Sequence, residues 1–419
     1  MNKIFLTSVC ALSSLFASAD DFSEEFLDSI FEIKEVSVIQ IKDKEIIKPH
    51  KLSGIELERM NSQSVADALR YFSGVQIKDY GGIGGVKTVN IRSMGSNHVG
   101  VFYNGVQLGN AQNGQVDLGR YSLDNVEAIS LYNGQKSDIF QTAKDFSTAS
   151  AIYIATKHPR FKANERSHFK VQMRTGSFGL ANPSILWEQK LAHTVHMSAS
   201  AEYTYANGRY KFRYKRKLAD GSLAFDTTAT RQNGDVQSLR TEIGIYGYIP
   251  EGKWNINGYF FTSERGIPGA IVNNVFRHGE RQWDKAAFGQ GSFSKKITDF
   301  YELKVNGKFS WDYLRFLRND PKELYLDNSY YQREAYISFA NLFKLTDWWN
   351  ISFAIDGQMN NLTSFTALSD SPIKPTRFTE FYSLATAFNF SHVNIQASVL
   401  ATTVQETARK DEYKFKDKF

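Results

Sequence analysis

Cysteine is nearly missing from this chain. Cys10 is the single one in 419 residues, and it sits inside an apolar leader. One such thiol cannot build a thiolate metal site or serve as a nucleophile in the folded body. The eight histidines fall in no recognisable metal-ligand spacing, and no H-E-x-x-H occurs. After the leader no run is apolar enough for a transmembrane helix, and mean hydropathy is −0.39. That leaves membrane strands open, because they need only one apolar face. Charge of one sign is not concentrated either. Lys and Arg number 50 against 44 Asp and Glu, and they are spread along the chain without the basic stripe of a nucleic-acid-binding surface.

Residues 1–19, MNKIFLTSVCALSSLFASA, have the parts of a secretory signal: Lys3, an apolar core from Ile4 to Phe16, and Ala17-Ser18-Ala19 as the cleavage site. The core is shorter than the ~20 residues of a membrane span. Val9 before Cys10 argues against lipid attachment. The mature chain is then free of thiols, which suits passage through an oxidising compartment.

Three regions follow. Residues 20–51 form a weakly patterned tail. Residues 52–159 read as a compact mixed α/β domain punctuated by Gly, and residues 160–419 as a series of strands. In the middle region Ser64 is an expected N-cap with Asp67 three positions on. Val65, Ala68, Leu69 and Phe72 give the helix one apolar face, and Gly74 ends it. Strands are expected at Gly74–Ile77, Thr88–Ile91, Val99–Tyr103, Asn125–Leu131 and Ala151–Thr156, with Asn104-Gly105 as a hairpin turn.

From Phe161 onward the period is two. Tyr301, Leu303, Val305, Gly307, Phe309 and Trp311 alternate with Glu302, Lys304, Asn306, Lys308 and Ser310. The pattern recurs at Phe169–Arg174, Val195–Tyr203, Leu239–Ile245, Ile351–Gly357 and Val393–Ala401. Polar loops separate the strands, and Arg209 to Gly234 reads as one of them. A soluble sandwich also alternates. Strand lengths near the ~9–11 residues of a tilted membrane crossing, and alternating short and long connections, favour an antiparallel transmembrane β-barrel.

Several segments resemble TonB-dependent outer-membrane receptors. Ser64–Arg70 with Ser73-Gly74-Val75-Gln76-Ile77 is similar to the family's helix and following strand. Val89–Gly95, Tyr103-Asn104-Gly105-Val106, Val126–Ile129 with Asn133-Gly134, and Ala151–Lys157 resemble four further segments in the family's order. Ser93, Asn104 and Ala151 depart from the usual Gly, Asp and Gly.

The resemblance implies a plug domain inside a barrel, active import rather than enzymatic chemistry, no cofactor, and an outer-membrane location. Glu35, Val36, Ser37, Val38 and Ile39 resemble the TonB box, through which a TonB-type periplasmic coupling protein would add a strand. Tyr80, Gly81, Gly82, Ile83 and Gly84, and Asn110, Ala111, Gln112, Asn113 and Gln115, match apical loops that touch ligand; ordinary turn chemistry would use the same residue types. Gly105–Gly134 and Glu264–Ala270, with Arg265, look similar to cobalamin receptors of Bacteroidetes-like bacteria. A corrinoid is the expected ligand. The alternative is a ferric siderophore, for which Arg209, Tyr210, Arg213 and Tyr214 are suited, and a surface adhesin or passive barrel is the reading from another class. Roughly ten to twelve strands are expected after Pro159, about half of the twenty-two of such transporters. Asp417 interrupts the alternation before Phe419, so the chain reads as C-terminally incomplete.

Overall fold

The computed structural model describes residues 49–110, 114–162, 164–269, 271, 279–319, 324–367 and 369–410. The leader, Glu35–Ile39, Ala111–Asn113 and residues 411–419 lie outside the described residues.

The N-terminal part is built on a five-stranded sheet. In chain order its strands are β1 (His50–Ser53), β4 (Val99–Tyr103), β5 (Val106–Gln107), β6 (Val126–Tyr132) and β7 (Ser150–Thr156). Their spatial order is β1-β6-β7-β4-β5, with β4 and β7 parallel and the other pairs antiparallel. A second, two-stranded sheet pairs β2 (Val75–Asp79) with β3 (Lys87–Ile91). Two short helices precede them, α1 (Ile55–Arg59) and α2 (Val65–Leu69). Ser64 caps α2 by accepting from the Asp67 N–H, and the Ser64 hydroxyl donates back to the Asp67 carboxylate at 2.8 Å. The helix stops at Leu69 rather than continuing to Phe72, yet Phe72 still enters the core beside Val65, Ala68 and Leu69. Gly74 adopts φ 78°. Asn104 and Gly105, at φ 48° and 82°, make the left-handed pair that a tight hairpin needs. Ser93, where the resemblance expected Gly, also has positive φ, at 61°.

Thirteen strands follow residue 160 among the described residues. Eleven form one antiparallel sheet: β8 (Ser167–Gly176), β9 (Leu180–Lys190), β10 (Val195–Ala206), β13 (Val236–Ile249), β14 (Gly252–Ile267), β15 (Glu280–Thr298), β16 (Tyr301–Arg318), β17 (Leu326–Thr346), β18 (Trp349–Thr366), β19 (Ser369–Asn389) and β20 (Asn394–Lys410). The other two, β11 (Tyr210–Lys217) and β12 (Leu223–Arg231), pair only with each other. They correct the reading of Arg209–Gly234 as a loop. Tyr210, Phe212 and Tyr214 alternate with Lys211, Arg213 and Lys215, a strand pattern that the density of charge concealed.

The wall inverts the polarity of a soluble sheet. Along β18 the inward residues Ser352, Ala354, Asp356 and Gln358 are buried, while the outward Phe353, Ile355 and Met359 are 38 %, 39 % and 48 % exposed. Phe309, Ile337, Phe339, Leu384 and Val399 continue the outward apolar face. Such a face suits hydrocarbon, not water. Aromatic rings edge it at two levels. At the short-turn end Tyr301 stacks on Phe343, and Trp348, Trp349, Phe388 and Phe390 stack together. Up the same strands Trp311 and Tyr313 on β16 and Tyr331 on β17 form the second level, with Tyr313 and Tyr331 at 4.9 Å. Tyr301 and Tyr313 are separated by about the ~9–11 residues of a bilayer crossing.

Connections sort by end. Residues 191–194, 250–251, 299–300, 347–348 and 390–393 are tight turns at one end. The connections 207–235, 268–279 and 319–325 are longer and share the other end, where 177–179 and 367–368 are short exceptions.

Candidate functional site

The wall wraps the N-terminal domain, and their shared interface positions the candidate residues. Loop 79–86 lies at the long-loop end, against the start of β13. Asp79 Oδ1 accepts from the N–H groups of Gly81 (3.1 Å) and Gly82 (2.9 Å), folding the loop back on itself. The fold is tight: a Cβ on Gly85 would stand 2.4 Å from the Gly81 nitrogen, and one on Gly84 would stand 2.6 Å from the Val236 Cβ. Ile83 packs on Leu180, Ala206 and Val236. Tyr80 is 57 % exposed, and Gly81 and Gly82 are exposed with it.

The described residues of 108–117 approach the wall beside β15, β16 and β17. Asn110 Nδ2 donates to the Gln115 carbonyl at 3.0 Å, and the Gly114 N–H donates to the Asn110 carbonyl at 2.9 Å. Lys308 Nζ donates to the Gln107 carbonyl (2.7 Å) and pairs with Glu334 (2.7 Å). Asn110 and Gln115 line a cavity of about 60 Å³ with Arg120, Asp312, Tyr313 and Gln332. It has room for ordered water, not for a large solute, which must sit above it or displace the loop.

Below these loops runs a buried charge network. Arg120 reaches Asp284 (3.0 Å), Asp117 (3.4 Å) and Asp312 (3.9 Å). Arg265 pairs with Asp284 at 2.7 Å and donates to the Gly84 carbonyl at 2.7 Å. Asp284 is fully buried. Burial works against the Arg120 charge, but Asp284, Asp117 and Asp312 outweigh it and hold the guanidinium above its ordinary range. A neighbouring group continues the interface. Arg240 donates to the Arg120 carbonyl and pairs with Glu202, while Glu242 accepts from Tyr103 (3.0 Å) and Asn125 (3.1 Å). Burial, and then Glu242, push the Tyr103 hydroxyl well above its ordinary value.

The segment 143–147 docks on the far side. Thr142 and Asp145 form a reciprocal cap. The Lys144 N–H donates to Asp356 (2.7 Å) and its Nζ donates to Gln358 (2.7 Å). Burial, reinforced by Lys308 and opposed by Glu334 and Asp356, lowers the Lys144 ammonium to about 8. Among the described residues no group of three or more His, Cys, Asp or Glu side chains could hold a metal.

Residues 50–143 match the family profile described as TonB-dependent Receptor Plug Domain. Most of the chain shares its fold with solved structures. The FpvAI–pyocin S2 complex aligns with TM-score 0.67 at 8 % identity, covering 89 % of this chain and 53 % of that one. The FrpB iron transporter from Neisseria meningitidis aligns with TM-score 0.66 at 9 % identity, covering 87 % and 61 %.

The chain has the fold of a TonB-dependent receptor.

Among curated sequences, the vitamin B12 transporter BtuB of Vibrio cholerae serotype O1 is 22 % identical over 314 residues, covering 72 % of this chain and 46 % of the relative. BtuB of Photobacterium profundum is 28 % identical over 138 residues, 33 % of this chain and 22 % of the relative. The chain thus spans about half the length of the Vibrio cholerae relative. In receptor terms, segment 79–86 and the described part of 108–117 belong to the plug, and each meets the wall. Arg265 has a different setting from that expected: it is buried and joins the plug loop to the wall. Asp226 and Asp235, scattered acids in the sequence, pair with Arg213 and Arg281. Sequence reasoning missed Arg120, Asp312 and Lys308. Lys308 and Asp312 lie on the polar phase of β16, and a charged residue there was the available signal.

Proposed function

We propose that this protein takes part in TonB-dependent import of a large, scarce solute across the outer membrane, with a corrinoid as the first candidate. The observation that carries this reading is a plug whose glycine- and amide-rich loops face the long-loop end of a wall that is polar inside and apolar outside. In this scheme residues 1–19 are a removed signal and 20–51 a periplasmic tail. Residues 52–159 are the plug, and residues 160–419 belong to the barrel wall. A periplasmic TonB-type protein grips Glu35–Ile39 by strand addition. Traction there loosens the plug, and no covalent chemistry is involved. Tyr80–Gly84, Asn110–Asn113 and Gln115 would meet the ligand from below. Arg265 would act by holding loop 79–86 in place.

Cobalamin is favoured by the amide-rich second loop and by the resemblance of this chain to proteins named vitamin B12 transporters. Isothermal calorimetry with cyanocobalamin tests it. Saturable binding is expected, and binding of a ferric siderophore with none of corrinoid would reverse the assignment. The siderophore reading has its own support in β11–β12, where Tyr210, Arg213 and Tyr214 stand beside Lys211 and Lys215 at the long-loop end. An adhesin or passive barrel would not need the tail. A pull-down with the coupling protein's C-terminal domain separates the classes: Val36→Pro should abolish capture, and equal capture would remove the assignment of the box.

A further inference from the structure

We infer that the inner wall, at the short-turn end, carries a site for a small oxyanion that bears its own hydroxyl, hydrogenphosphate above all, centred on Lys253, Ser294 and Lys304. The inference goes beyond the import reading: the site lies away from the loops proposed to meet the imported solute and does not depend on what that solute is.

Register sets the geometry. Lys253 on β14 stands opposite Ser294 on β15, and Ser294 stands opposite Lys304 on β16. Directly opposed residues share a face. Here it is the inward face, because Asn257, Gln290, Asn306 and Lys308 on the same phase are buried. Two strand spacings put the lysine Cα atoms roughly 10 Å apart. Two long stems can lean toward one small ion held between them, over the Ser294 hydroxyl.

The charges there are uncompensated. Lys304 interacts electrostatically with Lys136, Asp145 and Asp138 from the plug and with Lys253 from the wall. Both acids are committed elsewhere. Asp138 pairs with Lys136 at 3.1 Å, and Asp145 accepts from the Thr142 and Tyr153 hydroxyls at 2.6 and 2.8 Å. Neither Lys253 nor Lys304 forms an ion pair among the described residues. Two like charges at the seam between plug and wall repel, and an anion between them removes that cost.

A second observation selects the anion. Asn306 stands two residues beyond Lys304 on the same face and is 1 % exposed. Among the described residues neither its amide nitrogen nor its amide oxygen has a partner. Burying both unpaired is costly. The amide has hydrogens to donate and an oxygen to accept, so whichever way it is turned it asks for a partner that does both. Hydrogenphosphate does, since its oxygens accept and its hydroxyl donates. Sulfate has no hydroxyl.

The test uses the purified full chain in detergent micelles and chloride buffer at about pH 8, where a phosphate monoester has lost its last proton. Equilibrium dialysis with radiolabelled inorganic phosphate measures binding, with sulfate and methyl phosphate as competitors. Wild type should bind phosphate saturably and prefer it to either competitor by roughly tenfold, the worth of one good hydrogen bond. Lys253→Gln/Lys304→Gln should bind roughly a hundredfold more weakly, at about tenfold for each charged donor lost. Lys253→Arg/Lys304→Arg should keep saturable binding, and Lys217→Gln, on the separate hairpin, should bind as wild type does. Asn306→Leu should lose the preference over sulfate, which a merely structural role for Asn306 would leave intact. Circular dichroism and melting in chloride alone check that each variant is folded; if Asn306→Leu is not, the competition on wild type still decides. No saturable binding by wild type, equal binding by the glutamine double variant, or sulfate competing as well as phosphate would each overturn the site. Tighter binding of methyl phosphate than of phosphate would overturn the free ion as its occupant in favour of a phosphate ester.

Discussion

At the residue scale, the plug is held by charges removed from water, and such contacts are asymmetric in their energetics. A buried pair adds little net stability, but losing one partner strands the other. Asp284 serves both Arg120 and Arg265. Asp284→Ala should therefore lower unfolding free energy by on the order of 3–5 kcal/mol, read by denaturant melts in detergent. Protease sites within 79–86 should open at the same time, because Arg265 loses its anchor beside the Gly84 carbonyl. Lys144 makes a pH prediction. Its folded value, about 8, lies below the ordinary lysine value of 10.5. Between these values the unfolded state binds more protons, so stability rises with pH across the window. The gain is complete above 10.5 and is lost as pH falls through 8. Its ceiling is about 3 kcal/mol. Lys144→Met should flatten the rise, and an unchanged slope in pH-dependent melts would remove Lys144 as its source.

At the element scale, two features carry tests. Gly85 has no room for a Cβ against the Gly81 backbone. Gly85→Ala should destabilise the loop by about 1–3 kcal/mol and speed proteolysis there while leaving strand content unchanged by circular dichroism. On β17, Ile337 lies midway between Tyr331 and Phe343 on the outward face. Ile337→Lys should cost about 2–4 kcal/mol in bilayers, whereas the same change at the exposed Tyr210 should cost little. Much of this architecture was legible in the sequence because period two survives wherever one face is apolar. The Val195–Tyr203 and Tyr301–Trp311 alternations both fall inside strands, although β16 runs seven residues further, through alternating residues close to the loops. The α2 cap was legible because Ser64 and Asp67 interact locally. α1 was missed because five residues show too little of a helical repeat. The plug–wall network was not legible, since Arg120 and Asp284 are 164 residues apart and meet only through the curvature of the sheet.

At the scale of the whole molecule, polarity is inside out, and solubility should follow. The chain should need detergent for extraction and should float with lipid vesicles. A monodisperse, detergent-free body built from residues after Phe161 would contradict the wall as described. The order of the plug sheet has a mechanical consequence. β1 is the first described strand, is four residues long and lies at the sheet's edge, while β7, the last strand of that sheet, lies at its centre. Tension entering ahead of His50 meets the pairs His50–Leu131, Lys51–Ser130, Leu52–Ile129 and Ser53–Ala128 from the outermost inward. They can open like a zip, one pair at a time, whereas β7 is gripped on both sides and would have to shear whole. If the proposed traction is applied ahead of His50, a small pull would free β1 first, and only further work would disturb the centre of the sheet.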